Sequence, residues 1–231
     1  MRRQLTKVGL VIGTVVLGAL LSVSGAQGET PAGPELTADF ESGNLNGWTA
    51  TAGATVTSAA AANGVFGAEI RAAQSPGYLE WGTDVVAQGR TYASLRAYVQ
   101  LVSRAGGESV DLITIKNDNL RSNFDFFVTG DSQRFKWDLY NANSDESAFT
   151  VEPGRWYLVE IQCEFAGSYY NAGVRIDGVS QGMITSSGQL PSTVRSVWLG
   201  STASKTHVQF YDDVALVVGD SWIGYLGPVA G

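Results

Sequence analysis

The feature that most constrains this fold is a two-residue alternation of apolar and polar side chains, clearest between Tyr157 and Phe165. Every second residue of this segment is apolar, and the residues between them include Glu160, Gln162 and Glu164. Successive side chains of a β-strand point to opposite faces of its sheet. The segment is therefore predicted to be a half-buried strand with one face in the core and the other in water.

Similar alternation recurs along the chain, whereas apolar residues never keep the i, i+3, i+4, i+7 spacing of a helix for three turns. The other predicted strands are Gly77–Trp81, Thr91–Val102, Ser109–Ile115, Asn123–Val128, Arg134–Tyr140, Gly173–Ile176, Val194–Leu199 and Val208–Val218. Turn residues separate them, and Asp177-Gly178 predicts a hairpin with a type I′ turn. The pattern predicts an all-β fold, a two-sheet antiparallel sandwich or jelly roll.

The N-terminus has the three-part pattern of a secretory signal peptide. Arg2, Arg3 and Lys7 precede an uncharged apolar run over residues 8–21, and small residues follow as far as Gly28. A membrane span needs about 18 or more apolar residues, so this run is too short, and no other segment comes near that length. We therefore expect no membrane insertion of the mature chain.

Three regions follow from this pattern: a signal helix over residues 1–28, a linker over 29–35 and one domain over 36–231. Cleavage before Gln27 and cleavage before Glu29 both satisfy the small-residue rule. The neighbouring arginines near the start leave twin-arginine export open beside the general secretory route. The mature protein is expected to be secreted or extracellular.

The predicted mature chain is more acidic than the whole. Three of the 15 Lys and Arg residues lie in the leader and none of the 22 Asp and Glu residues does, so the formal charge changes from -7 to -10. Nucleic acid is therefore not expected as a partner, because its binding depends on basic patches. A single cysteine, Cys163, excludes an internal disulfide, and export without disulfides fits a bacterial protein.

Sequence motifs occur in order over nearly the whole mature chain: Asp39–Trp48, Pro153–Ile161 with Val174–Gly178, and Phe210–Val214. Together they resemble the concanavalin A-like lectin/glucanase superfamily, in particular its laminin-G-like bacterial jelly-roll domains. The first and last motifs also occur in galactose-binding-like jelly rolls, and the middle one favours the concanavalin A-like fold. The resemblance implies two curved antiparallel sheets in a domain of about 200 residues.

The resemblance also implies a calcium site where the first and last strands pair, because jelly rolls of both kinds often hold a structural calcium there. Asp39 and Glu41 lie on the predicted first strand, and Asp212 and Asp213 lie on the last. Neighbouring strand residues face opposite sides, so the last two cannot both reach one ion without a bulge. We expect Glu41 and Asp213 to bind one structural calcium ion; the alternative is that they are ordinary solvated carboxylates.

One alternative function is a glycoside hydrolase or polysaccharide lyase that uses Glu160 and Glu164. Glucanases of the resembled superfamily carry a Glu-x-Asp-x-Glu string, and here Gln162 replaces the central Asp. Alternating polar residues are also what any half-exposed strand displays, so we interpret these residues as non-catalytic. Other catalytic patterns fail sooner: His207 is the only histidine, and no Gly-x-Ser-x-Gly or phosphate-binding glycine motif occurs.

A polar and aromatic segment in the middle of the chain is the predicted ligand site, with Asn119, Arg121, Asn123, Trp137 and Tyr140. Sugars stack on aromatic rings while polar side chains bind their hydroxyl groups. Trp137 and Tyr140 are three positions apart, so at most one faces a given groove, and Trp137 as a core residue is an equal alternative. The leading hypothesis is a secreted, non-catalytic carbohydrate-binding or adhesion module for a polysaccharide or cell-surface glycan.

A third hypothesis is a structural or phage-derived surface module. The C-terminal segment from Trp222 to Pro228 is similar to the tails of virion laminin-G-like proteins. This hypothesis predicts a protein that binds no glycan.

Overall fold

The computed structural model describes residues 36–82, 92–116, 122–139, 144–165, 169–187, 194–219 and 224–228. The predicted signal peptide and linker lie outside these residues. The described strands are β1 (Leu36–Ala38), β2 (Ala50–Ala52), β3 (Ala54–Thr57), β4 (Gly67–Gly82), β5 (Tyr92–Arg104), β6 (Val110–Lys116), β7 (Ser122–Val128), β8 (Arg134–Leu139), β9 (Ser144–Thr150), β10 (Trp156–Glu164), β11 (Tyr169–Ile176), β12 (Val179–Ser187) and β13 (Ser196–Gly219). Within these ranges no helix is long and apolar enough to cross a membrane. The all-β prediction is confirmed.

The long strand β13 belongs to two sheets. Its residues 196–199 pair with β6, and the order continues through β7 and β8 to β9; we call this sheet I. Its residues 207–219 pair with β5, followed by β10, β11 and β12; we call this sheet II. Strand β4 runs beside β13 in both sheets, and all of these pairs are antiparallel.

The two sheets share one hydrophobic core, as the predicted sandwich requires. Phe135 of β8 packs edge to face on Tyr157 of β10, with ring centroids 4.9 Å apart. The alternate apolar residues from Tyr157 to Phe165 are at most 1% exposed, so the predicted core face of β10 is confirmed.

The predicted hairpin at Asp177 and Gly178 is also confirmed. Both residues have positive φ, 51° and 77°, as a type I′ turn requires, and the turn joins β11 to β12. The Asp177 carboxylate accepts hydrogen bonds from Leu158 N–H and from the Arg155 guanidinium, each at 2.9 Å. These bonds fasten the turn to the start of β10.

Several strand predictions needed correction. Strand β1 ends at Ala38, so Asp39 and Glu41 lie after the first strand and not on it. The predicted strands Val194–Leu199 and Val208–Val218 join in one strand, β13, which begins at Ser196. Between them Ser201, Lys205 and Thr206 pair with β4, with two register shifts. Strand β9 was not predicted, because its sequence, SDESAFT, alternates little and only one of its residues is buried.

Candidate functional site

The outer face of sheet I carries a cavity of about 320 Å³, which we call the groove. Strands β6, β7, β8 and the start of β13 line it, with Thr114, Lys116, Asp125, Asp138 and Trp198 among the lining residues. Asp125 and Asp138 are direct cross-strand partners, so their carboxylates lie on the same face. The cavity volume falls in the range of small-ligand sites, which is roughly 300 to 1,000 Å³.

Trp198 supplies an aromatic ring to the groove, and its neighbours fix the position of that ring. Its indole Nε1 donates a 2.8 Å hydrogen bond to Ser196 Oγ. The Tyr78 ring lies 4.5 Å from it between centroids, and Lys116 Nζ lies 3.7 Å from a Trp198 ring centroid. A rigid ring therefore stands next to a cation at the groove wall.

The charged groups of the groove are partly desolvated. Burial raises the pKa of Asp138, and Lys136 opposes that rise. Burial lowers the pKa of Lys116, and nearby carboxylates, including Asp125, oppose that fall. The Thr114 hydroxyl donates a 2.7 Å hydrogen bond to Asp125 Oδ1. Hydrogen bonds to such partly buried charges are stronger than those in open water.

The structure describes the side chain of only one of the five ligand-binding residues predicted from the sequence, Trp137. Trp137 is fully buried in the core, so of its two alternatives the structure shows the core one. Asn123 lies in β7, but its side chain is outside the described part of the structure, as are Asn119, Arg121 and Tyr140. The groove nevertheless lies on the same run of strands, β6 to β8.

Sequence reasoning missed the residues that do line the groove, although the alternation contained the signal. Trp198 stands between Val197 and Leu199, which are both fully buried, so its ring must point outward. Asp138 likewise follows the buried Trp137, and Asp125 lies opposite Asp138. Applying the two-residue period to each strand in turn would have found all three.

The polar face of β10 was predicted to be wet, and this prediction is wrong. Glu160 and Gln162 are only 1% and 3% exposed. Residues 224–228, which we call the C-terminal strap, reach this face: Gly227 N–H donates a 2.7 Å hydrogen bond to Glu160 Oε1. Strand β10 therefore has the sequence pattern of a half-exposed strand, although both of its faces are buried.

The other carboxylate of the proposed catalytic pair also has protein partners. Glu164 accepts hydrogen bonds from the Tyr92 hydroxyl at 2.9 Å and from Asn171 Nδ2 at 2.8 Å. Neither Glu160 nor Glu164 lines the groove. The two glutamates therefore stand in a hydrogen-bonded network on sheet II.

The two residues predicted to bind calcium both contact the segment from Asn63 to Phe66. Glu41 Oε1 accepts hydrogen bonds from the backbone N–H groups of Val65 at 2.8 Å and Phe66 at 3.0 Å. Asp213 Oδ2 accepts one from Asn63 Nδ2 at 2.7 Å. These carboxylates thus fasten the loop before β4 to both ends of the domain.

Asp212 holds the same loop from the buried side. Its Oδ2 accepts from the N–H groups of Ala62 at 2.8 Å and Asn63 at 2.9 Å, and its Oδ1 accepts from Asp213 N–H at 2.8 Å. Burial raises the pKa of Asp212, and these three N–H donors oppose the rise. The ladder to β5 is irregular between Asp212 and Ala215, and Asp213 has a φ of 48°, so the strand does bulge here.

The described residues contain no group of three or more His, Cys, Asp or Glu side chains that could hold a metal ion. Calcium takes six to eight oxygen ligands, and Glu41 and Asp213 each already use one oxygen for a hydrogen bond. These two carboxylates alone do not fit the ion. The calcium site stays a prediction.

Several solved structures share this fold. The cellulose-induced protein Cip1 has a TM-score of 0.61 and 15% identity, and the match covers 82% of this chain and 99% of that one. The Crh5 transglycosylase has a TM-score of 0.56, 17% identity and coverage of 85% and 92%. A binding domain of botulinum neurotoxin DC in complex with SialylT has a TM-score of 0.56 and 11% identity, with coverage of 83% and 48%.

Neither a known family nor a curated protein sequence matches the chain. At these low identities the structural likeness shows the fold alone. The described strands and these matches confirm the predicted antiparallel jelly-roll sandwich.

Proposed function

We propose that this protein is a secreted, non-catalytic carbohydrate-binding module and that its glycan binds in the groove of sheet I. The observation that carries the proposal is the Trp198 ring beside a cavity lined by Thr114, Lys116, Asp125 and Asp138. A sugar needs an apolar surface for its C–H groups and charged or polar groups for its hydroxyls, and the groove offers both. A structure of the same fold binds SialylT, which supports a glycan as the class of ligand.

The burial of Glu160 argues against the catalytic pair inferred from the sequence. A general acid or nucleophile must touch the bond that breaks, and the strap lies between Glu160 and solvent. Glu164 is held by Tyr92 and Asn171 and lies four residues along the strand from Glu160. We therefore favour binding over turnover at this face.

A second candidate function is glycoside hydrolysis in the groove, and one observation favours it. Asp125 and Asp138 are cross-strand partners, and burial raises the pKa of Asp138, as a general acid requires. Retaining hydrolases hold two carboxyl groups about 5 to 5.5 Å apart, a separation that cross-strand neighbours can reach. Binding remains the first proposal because it needs only the ring and the hydrogen-bonding groups.

Affinity electrophoresis of the purified mature protein through gels containing single polysaccharides tests the proposal. We expect at least one polysaccharide to retard the protein without release of reducing ends. Trp198→Ala should remove the retardation, a loss of about tenfold or more in affinity, as is usual for a central aromatic contact. Trp156→Ala, which changes a partly buried tryptophan of β10 in sheet II, is the matched control and should leave the retardation unchanged.

Other outcomes would select among the alternatives. Release of reducing ends that Asp138→Asn abolishes would establish hydrolysis in the groove. Release abolished by Glu160→Gln would restore the pair inferred from the sequence. Silence on a broad glycan array would favour the structural or phage-derived surface module.

Export and calcium binding are separate parts of the proposal. N-terminal sequencing of protein recovered outside the producing cell should find Gln27 or Glu29 as the first residue. Calcium at 100 times its dissociation constant would add about 2.7 kcal/mol to the free energy of unfolding, which raises the melting temperature by several degrees. Identical melting curves in calcium and in chelator would contradict the site at Glu41 and Asp213.

A further inference from the structure

The C-terminal strap is held on sheet II by a set of specific hydrogen bonds. Gly227 is held at both of its backbone polar groups: its N–H donates to Glu160, and its carbonyl oxygen accepts a 3.0 Å hydrogen bond from Arg96 Nη1. The Ser94 hydroxyl donates a 2.8 Å hydrogen bond to the Gly224 carbonyl oxygen. Side chains of β5 and β10 thus hold the strap by hydrogen bonds at Gly224 and Gly227.

The one aromatic ring of the strap, that of Tyr225, packs against strand β11. The Arg175 guanidinium lies 4.5 Å from the Tyr225 ring centroid. Gly173 makes room for the same ring, because a Cβ atom at that position would lie 2.8 Å from the Tyr225 hydroxyl oxygen. The face under the strap therefore has the depth and shape to accept a planar group.

The strap nevertheless leaves the polar groups beneath it incompletely satisfied. Three buried side-chain nitrogens there have no hydrogen-bond partner: Arg96 Nε, Gln162 Nε2 and Arg175 Nε. Each of them is a donor, and Gln162 is 3% exposed. Buried donors nearly always have an acceptor, so these three are available to an acceptor that a ligand supplies.

The charges on this face identify the kind of occupant. The side chains of Arg96 and Arg175 balance those of Glu160 and Glu164, which lie on the same face by the strand register. A balanced set of charges favours a neutral ligand. Hydroxyl groups both donate and accept, so they can serve the unpaired N–H groups and the carboxylates together.

We propose that the face of sheet II under the C-terminal strap is a second binding site for a neutral carbohydrate and that the strap closes it. The ligand displaces residues 224–228, and its hydroxyl oxygens accept from Arg96, Gln162 and Arg175. The site shares no residue with the groove, so it extends the proposed function without depending on it. Closure lowers the apparent affinity in proportion to the small open fraction.

The test opens the strap in the full chain, in a Trp198→Ala background that lacks the groove ring. Gly227→Pro removes the N–H that Glu160 accepts, and it conflicts with the φ of 71° at this position because proline requires about -65°. Chymotrypsin cleavage after Tyr225 should then become faster, which reports release. Binding to a panel of neutral gluco-, xylo-, manno- and galacto-oligosaccharides, measured by calorimetry, should tighten about tenfold or more.

Val179→Ala in the same background, at an exposed residue outside both sites, is the control and should change neither cleavage nor binding. Tyr225→Ala is a second way to open the strap and should also tighten oligosaccharide binding, by a smaller factor. Because this variant lacks the cleavage site, opening is measured by hydrogen exchange at Gly227. Faster cleavage with no binding across the panel would overturn the carbohydrate site. Unchanged cleavage in Gly227→Pro would overturn the closing role of the strap. Loss of groove binding in Trp198→Ala alone tests only the proposed function, so the two can fail separately.

Discussion

The outer faces of the two sheets carry the same alternation of polar and core residues but differ in exposure to solvent. On sheet I, Lys116, Asp125 and Asp138 surround an open groove. On sheet II, Glu160 and Gln162 are buried beneath the C-terminal strap. Both sets alternate with core residues along their strands. The difference teaches that alternation reports which side chains leave the core, whereas a segment from elsewhere in the chain decides whether they reach water.

The two faces also differ in what their carboxylates do. Glu160 binds a backbone N–H of the strap, so its hydrogen bond holds two parts of the chain together. Asp138 lies in the groove wall, where burial raises its pKa. We therefore expect carboxylates of the covered face to contribute to stability and those of the groove to serve a ligand.

The largest expected effect separates these two roles directly. Glu160→Ala leaves Gly227 N–H without its acceptor and removes one charge from a buried set, so the free energy of unfolding should fall by about 3 kcal/mol. Asp138→Asn is the matched variant on the groove and should change it by less than about 0.5 kcal/mol. Urea denaturation measures both. Equal losses would remove the distinction between the two faces.

A second test asks whether a buried carboxylate that binds backbone is important away from the strap as well. Asp212→Ala deprives three backbone N–H groups of their acceptor and should cost about 2 kcal/mol of unfolding free energy. Asp213→Ala, which removes one hydrogen bond to the exposed Asn63 side chain, is the control and should cost less than half as much. A comparable loss in both variants would contradict this interpretation.

The junction of the two sheets gives a pH-dependent effect. His207 lies where β13 begins to pair with β5, is 1% exposed, and neither ring nitrogen has a partner. Burial lowers its pKa below 6.5, and Asp111 and Glu108 oppose this. The folded state then binds fewer protons than the unfolded state, so stability is highest above pH 6.5. Below pH 6.5 the free energy of unfolding should fall by up to about 1.4 kcal/mol per pH unit, until the pH reaches the pKa of His207 in the folded state.

His207→Phe is the control for this pH dependence. It removes both unpaired nitrogens and the titrating group. Just below pH 6.5 the free energy of unfolding of this variant should therefore depend less steeply on pH, by the slope that one proton contributes. Denaturant titrations at half-unit intervals from pH 5 to 8 compare the two proteins. Parallel curves would show that His207 does not titrate in this window.

The smallest expected effect is on the stability of the groove. Lys116→Met removes the cation beside the Trp198 ring and should change the free energy of unfolding by less than about 1 kcal/mol. Glycan affinity should fall by about 2- to 10-fold, because one hydrogen-bond donor is lost. Affinity electrophoresis and thermal melting of the same samples separate the two effects. A large loss of stability with unchanged binding would make Lys116 a structural residue.

Much of the candidate site was within reach of the sequence. The outward direction of Trp198 follows from the burial expected for Val197 and Leu199, and that of Asp138 follows from Trp137. The pairing of Asp125 with Asp138 could not be predicted from the sequence, because alternation within one strand does not fix its register against the next strand. Of the aromatic residues predicted to stack on a ligand, Trp137 is a core residue, because alternation along β8 places it on the buried face.

The sequence by itself determined the all-β class, the core face of β10 and the Asp177-Gly178 turn, because alternation and positive φ are local properties of the chain. Only the tertiary structure decided that β13 joins both sheets and that residues 224–228 cover Glu160. Those facts depend on contacts between residues far apart in sequence. A local pattern records which way a side chain points, and it holds no information on what will be packed against it.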